Sequence, residues 1–208
     1  MPKKEVPVDY LQQFLPSGTC DAVMAYLHQY KVHLTVTRER KSILGDYRHR
    51  THHTNHRISI NGNLNSYAFL ITLLHEIAHL LTFEQFGNRV QAHGREWKTQ
   101  FGQLLHQFLL HHTFPADIER ELQLSLKNPA ASSCAEEGLL RVLRQYDEPK
   151  QNHLLIEELP SGSLFRIKGG RVFRKGERIR KRFKCLEVDT GKLYLFSPVY
   201  EVERLESV

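Results

Sequence analysis

Two histidines stand four residues apart with a glutamate beside the first, in His75-Glu76-Ile77-Ala78-His79. On a helix, residues four apart share one face, so His75 and His79 can offer two imidazoles to one metal ion. Glu76 then points beside that metal, where its carboxylate can hold a water and take its proton. Two nitrogen ligands and an adjacent base are the parts needed for zinc-assisted hydrolysis of a peptide bond. The flanks favour this chemistry. Tyr67–Leu74 before the motif and Leu80–Phe83 after it are apolar, so the helix is expected to be buried on most of its surface. Imidazoles and a carboxylate are costly inside such a helix unless a ligand satisfies them.

A catalytic zinc needs a third protein ligand and an open fourth position. The compact spacing that would put a Gly at position 82 and a His at position 85 is absent, since Thr82 and Gln85 occupy those places. Two candidates remain. His93 stands at the mouth of a second amphipathic helix, which starts near Gly94 and carries Trp97, Phe101, Leu104, Leu105 and Phe108 on one side. Glu96 lies in that helix's first turn, where an acid also suits the helix dipole.

His75-Glu76-x-x-His79, a spacer, and then His93-Gly94-x-Glu96-Trp97 resemble the SprT-like family, whose pattern is HExxH followed by H-G-x-x-aromatic. The resemblance covers roughly residues 10 to 125. It implies an HExxH-type zinc metallopeptidase, a hydrolase of zincin fold, with one Zn2+ held by His75, His79 and His93 and Glu76 as catalytic base. It also implies a protein substrate associated with DNA. The alternative it carries is a nucleic-acid-associated accessory protein linked to transcription, with vestigial protease activity or none. Many members end in a zinc ribbon built on two Cys-x-x-Cys pairs, and this chain has none: Arg182-Phe183-Lys184-Cys185 is followed by Val188 where a second cysteine would stand.

The elements that must position these groups are legible in part. Residues 8–30 read as helix interrupted at Pro16-Ser17-Gly18, Val32–Thr37 as a strand, Lys41–Arg50 as a polar turn-back, and His56–Ile60 as a second strand. An edge strand beside the zinc can hold a substrate in extended form. His49, His52, His53 and His56 form a second histidine cluster with irregular spacing; it reads either as a second metal or transition-state donor site, or as a solvated loop. His106, His111 and His112 close the long second helix, where cations suit its dipole. Further on, Ile118–Leu126 and Glu136–Tyr146 read as helices, with Asn128-Pro129 stopping the first.

The tail changes character. Residues 1–160 hold 17 basic and 17 acidic residues, whereas 161–208 hold 12 and 6, so the formal charge of +6 lies wholly in the tail. The pattern there is β, with hairpin turns at Gly169-Gly170 and Asp189-Thr190-Gly191. Arg171, Arg174, Lys175, Arg178, Arg180, Lys181, Arg182 and Lys184 are candidate nucleic-acid contacts, interleaved with Phe165, Phe173, Phe183 and Tyr194. Alternation alone gives the opposite reading, in which the aromatics are core and the charges a solvated face.

The fold class expected is therefore α+β: a zincin-like helical domain with a small N-terminal β-sheet over residues 1–127, a helical linker region over 128–158, and a small basic β-rich module over 159–208. Cys20, Cys134 and Cys185 are few, odd in number and far apart, which suits a reducing compartment rather than a disulfide framework. Cys134 reads as a small packing residue. The longest apolar run contains His75 and Glu76, so no membrane partner is expected. The expectation is a cytoplasmic protein, nucleoid-associated if bacterial, with a protein substrate and DNA as partners.

Overall fold

The computed structural model describes residues 8–40, 42–126, 134 and 136–205. The chain divides into two compact units, Met1–Asp147 and Glu148–Val208, and is α+β throughout.

The first unit is built on α3, Ser66–Phe86. The Asn65 side chain caps its start by accepting from the Ala68 N–H at 2.9 Å. Gly87, at φ 63°, ends it with its N–H bonded to the Phe83 carbonyl. Between these signals Phe69, Leu70, Leu73, Leu74 and Ala78 are wholly buried. By length and composition this helix could cross a membrane, yet it is largely buried inside its own unit.

Three layers bury α3. On one side lies a mixed sheet of β1 (His33–Thr37), β2 (Gly45–Arg48) and β3 (Arg57–Asn61), ordered β1-β3-β2. β1 runs parallel to β3 and β2 antiparallel to it. Leu34, Ile58 and Ile60 of this sheet join the same core as α3. On another side α4, Arg95–Leu110, contributes Trp97, Phe101, Leu104, Leu105 and Phe108, the stripe its spacing predicted. The rest of the core comes from Val23 and Leu27 of α2 (Cys20–Gln29), Ile118 and Leu122 of α5 (Ala116–Ser125), and Leu139, Val142 and Leu143 of α6 (Glu137–Arg144).

Two expectations change. The polar stretch 41–50 contains a strand: Asp46 and Arg48 face outward, while Gly45 and Tyr47 lie in register with the core residues Ile60 and Ile58. The early helix breaks at Pro16-Ser17-Gly18 as expected, into α1 (Val8–Leu11) with a 3-10 turn at Gln12–Phe14, and then α2. Residues 128–158 are not one linker, because α6 packs in the first unit's core and 153–155 pair into the second unit's sheet. The stop expected at Asn128-Pro129 lies outside the described residues. Cys134 is buried, and burial pushes its thiol up to about 12, as suits a packing residue.

The second unit is a six-stranded antiparallel sheet ordered β4-β9-β5-β6-β7-β8. Its strands are β4 (His153–Leu155), β5 (Leu164–Arg166), β6 (Val172–Ile179), β7 (Arg182–Glu187), β8 (Leu193–Phe196) and β9 (Glu201–Arg204). Ile156, Leu159, Phe165, Phe173, Cys185, Phe196 and Val202 form its core. Gly169-Gly170 and Asp189-Thr190-Gly191 turn hairpins as expected. A further hairpin turns at Arg180-Lys181, with Arg180 at φ 54°, and β6 continues through a bulge after Lys175.

Phe69, fully buried between α3 and the turn bearing Phe14, stacks on that ring at 5.3 Å. Phe69→Ala is expected to destabilise the first unit by about 3–5 kcal/mol, measured as a shift in urea midpoint. A loss below about 1 kcal/mol would contradict a tightly packed site there.

Candidate metal centre

His75 and His79 project from the same face of α3, one turn apart. After α3 the chain makes a 3-10 turn at Gly87–Arg89 and returns, so that His93 arrives just before α4. His93 Nε2 then lies 3.1 Å from His79 Nε2 and 3.3 Å from His75 Nε2. A tetrahedral zinc with Zn–N bonds of about 2.05 Å separates its nitrogen ligands by about 3.3 Å. His93 Nε2 already stands at about that separation from both partners, and the three ligand atoms lie within 4.8 Å of one another, so the donor set fits the metal in element and in size. Among the described residues this is the group of His, Cys, Asp or Glu that converges in this way, and it contains His93 and not Glu96.

Aromatic packing fixes the imidazoles. The Trp97 ring, with no exposed surface, has its centroid 4.6 Å from that of His75, 4.8 Å from His93 and 5.3 Å from His79. Phe101 stacks beneath Trp97 at 5.0 Å. His75 Nδ1 is buried with no hydrogen-bond partner among the described residues, so packing, rather than the usual hydrogen bond to a carboxylate or carbonyl, orients this ring. Burial and then the neighbouring imidazoles push His75 down to about 3 and His79 down to about 4, and burial lowers His93. All three are neutral near pH 7, with lone pairs free for a metal.

Glu76 is held from the sheet side. The Tyr47 backbone N–H donates to its carboxylate, and Gly45 lies so close that a Cβ there would strike the carboxylate. Glycine at 45 is therefore a close-approach residue, allowing β2 to lie against Glu76. Burial, and then the charge of Asp46, push Glu76 up to about 8, opposed by Arg40 and the Tyr47 hydrogen bond. Sequence reasoning missed Gly45 and Tyr47. The available signal was a glycine within a segment able to pair with 57–61, masked by the turn-like Gly45-Asp46.

The second histidine cluster does not converge on a metal position among the described residues. His56 is buried; its Nδ1 accepts from Tyr47 Oη at 2.9 Å and its Nε2 meets Glu84 at 3.2 Å. Arg50 pairs with Glu84 at 3.1 Å, and His49 stacks on Phe83 at 4.5 Å. These contacts pin the 49–56 loop to the second half of α3. His52 and His53 are exposed, and so are His106, His111 and His112.

In the second unit the cations divide. Arg174, Arg178, Arg180, Lys181 and Arg182 are exposed and Lys184 is half-buried. Lys175 is only 5% exposed and donates to the Leu159 carbonyl at 2.5 Å, with its ammonium over Phe183. Its charge serves the sheet and is withdrawn from any phosphate, because the strand's alternation turns it inward beside Phe173. Arg171 lies between Glu187, at 2.5 Å, and the Tyr194 ring, and the hydrogen bond of Arg171, followed by that of Thr190, holds Glu187 down at about 2. Phe165 and Phe173 are fully buried, so they offer no face on which a base could stack.

Residues 17–119 match the model of the SprT-like family. Protein SprT of Pseudomonas putida, in strains W619 and KT2440, is 56% identical over 27 residues. That stretch is 13% of this chain and 16% of the relative's length, so the match spans a small part of either protein. No solved structure matches the chain.

The site sets a pH profile for the metal-free protein. Histidines that titrate near 6.5 when unfolded and at about 3 and 4 when folded leave the unfolded chain with more protons below pH 6.5, so stability falls there. Glu76, raised from 4.5 to about 8, leaves the folded chain with more protons between those values, so it costs stability as pH rises towards 8. Between pH 4.5 and 6.5 the histidines outnumber the single carboxyl. Urea midpoints of metal-free protein should therefore peak near pH 6.5; a monotonic rise from pH 5 to 8 would contradict the assigned shifts.

Proposed function

Residues 17–119 form a SprT-like domain, and from that premise we propose that the protein is a zinc-dependent metallopeptidase acting on proteins associated with DNA. The convergence of three neutral imidazoles at zinc-ligand separation, beside a buried carboxylate, carries this reading. His75, His79 and His93 would hold the ion. A zinc bound there supplies Lewis acidity and lowers the pKa of a water in its open position. Glu76 orients that water through its carboxylate, accepts its proton, and returns the proton to the leaving amine. β2 is an edge of its sheet, so an extended peptide can pair alongside Glu76. A cavity of about 790 Å³ next to His93, lined by Arg95, Thr99 and Gln103 among others, leaves room on the other side.

The DNA part of the reading rests on the second unit. Its exposed Arg174, Arg178, Arg180, Lys181 and Arg182 make a cationic surface suited to phosphates, with steep salt dependence and little sequence choice. Free cysteines at 20, 134 and 185 fit a cytoplasmic location.

Zinc-loaded protein should cleave itself or a histone-type substrate, and Glu76→Gln should keep the zinc while losing cleavage by at least about 100-fold. Cleavage by Glu76→Gln at the wild-type rate would remove Glu76 as the base. Cleavage that needs single-stranded DNA would support a DNA-associated substrate, whereas DNA binding without any cleavage would favour an accessory role in transcription. His93→Ala should lower zinc stoichiometry, read by metal analysis after dialysis; unchanged zinc content would shift the third ligand to Glu96.

A further inference from the structure

The outward face of the first unit's sheet carries a row of basic side chains, two of them arginines, that the fold itself does not require. His33 on β1 is in register with Arg57 on β3, and Arg57 with Arg48 on β2. Residues in register on neighbouring strands point to the same side. His33, Arg57 and Arg48 therefore form one line across three strands, on the face opposite the buried Leu34 and Ile58. The next row is Thr35, Ser59 and Asp46. A recess of about 330 Å³ lies over both rows and Arg40.

Like charges directly opposite one another destabilise a sheet, and Arg48 and Arg57 stand in that relation. Acid provides little relief. Asp46 takes Arg48 Nε at 2.9 Å along its own strand, and among the described residues no ion pair is found for Arg57. Arg40 is held by neutral oxygens alone: Asn61 Oδ1 at 2.8 Å, Ser59 Oγ at 2.9 Å, and the Ser59 and Leu44 carbonyls at 3.0 and 3.2 Å. Three guanidinium groups thus line the recess with one carboxylate. Ser59 Oγ, as acceptor from Arg40, keeps its own proton to donate.

We propose that this recess is an anion site that takes two neighbouring phosphate groups of one ligand along the His33–Arg57–Arg48 row. Adjacent strands lie about 4.8 Å apart, so Arg57 and Arg48, with His33 beside them as a hydrogen-bonding partner, stand at a spacing that serves linked phosphates. Guanidinium groups are suited to their oxygens through paired N–H donors. The row lies on the face of the sheet turned away from the core to which Gly45 and Glu76 belong, and its test does not depend on the zinc reading.

The test is calorimetric titration of the full chain with pyrophosphate and, separately, with a short oligothymidylate, at low and raised salt. Arg57→Gln is expected to weaken binding by about tenfold or more, and Arg48→Gln to weaken it in the same direction. Arg120→Gln, a change of equal charge on α5, should alter it less than twofold. Loss for both ligands supports recognition of the phosphates themselves. Loss confined to the oligothymidylate assigns them to a nucleic-acid backbone, and loss confined to pyrophosphate to a small ligand. Failure of both ligands to bind, or affinities within twofold of wild type in Arg57→Gln, would overturn the proposal. A ligand-free melting temperature also decides. It should be no lower in Arg57→Gln than in wild type, because a like-charge contact is relieved; a clear drop would mean that Arg57 serves the fold and not a ligand.

Discussion

Moving two imidazoles and a carboxylate into a helix that is dry on nearly all sides carries a penalty of several kcal/mol unless each keeps a polar partner. The first unit answers from two directions. From α4, Trp97 fills the space against all three histidines and leaves their Nε2 atoms facing one another. From the sheet, β2 comes close enough for a backbone N–H to reach Glu76. Both answers require α3 to be buried first, since an exposed helix would hydrate these groups and leave their affinities for protons and metals ordinary.

The second unit solves a different problem with the same physics. Sixty-odd residues must close a small core while carrying a surplus of cations. The sheet turns Phe165, Phe173 and Cys185 inward and uses two of its cations as internal ties: Lys175 to backbone carbonyls, and Arg171 to Glu187. What is left outside is a reduced set of charges, clustered around the hairpin at Arg180-Lys181. Of the aromatic residues interleaved with charge along the chain, Phe165 and Phe173 are buried, while Phe183 and Tyr194 lie under Lys175 and Arg171.

The parts legible from the sequence were those set by local periodicity. His75 and His79 follow from a four-residue spacing on one helix, the stripe of α4 from its 3.6-residue period, and the tail's hairpins from glycine turns. His93 was visible as a candidate, but its preference over Glu96 came from resemblance, and only the return of the chain after Gly87 places it. Tertiary approach was not legible. Gly45 looks like a turn residue until Glu76 is seen against it, and α6 looks like part of a linker until Leu139, Val142 and Leu143 are seen in the core. The bulge after Lys175 falls at Gly176, where a Cβ would strike the Lys184 carbonyl oxygen, a close approach that the sequence marks only by the glycine.

The contact between Gly45 and Glu76 also decides where the first unit can yield. Gly45 lets the β2 backbone lie directly against the Glu76 side chain, Tyr47 stacks on His79, and the 49–56 loop is tied to Phe83 and Glu84, so sheet and helix are closely joined on this side. The opposite wall, formed by the segment leading to His93 and the start of α4, borders open space rather than packed backbone. Room for adjustment in the width of the site therefore lies on the His93 side. His93 is thus carried by the more openly bordered wall, and Glu76 by the closely packed one.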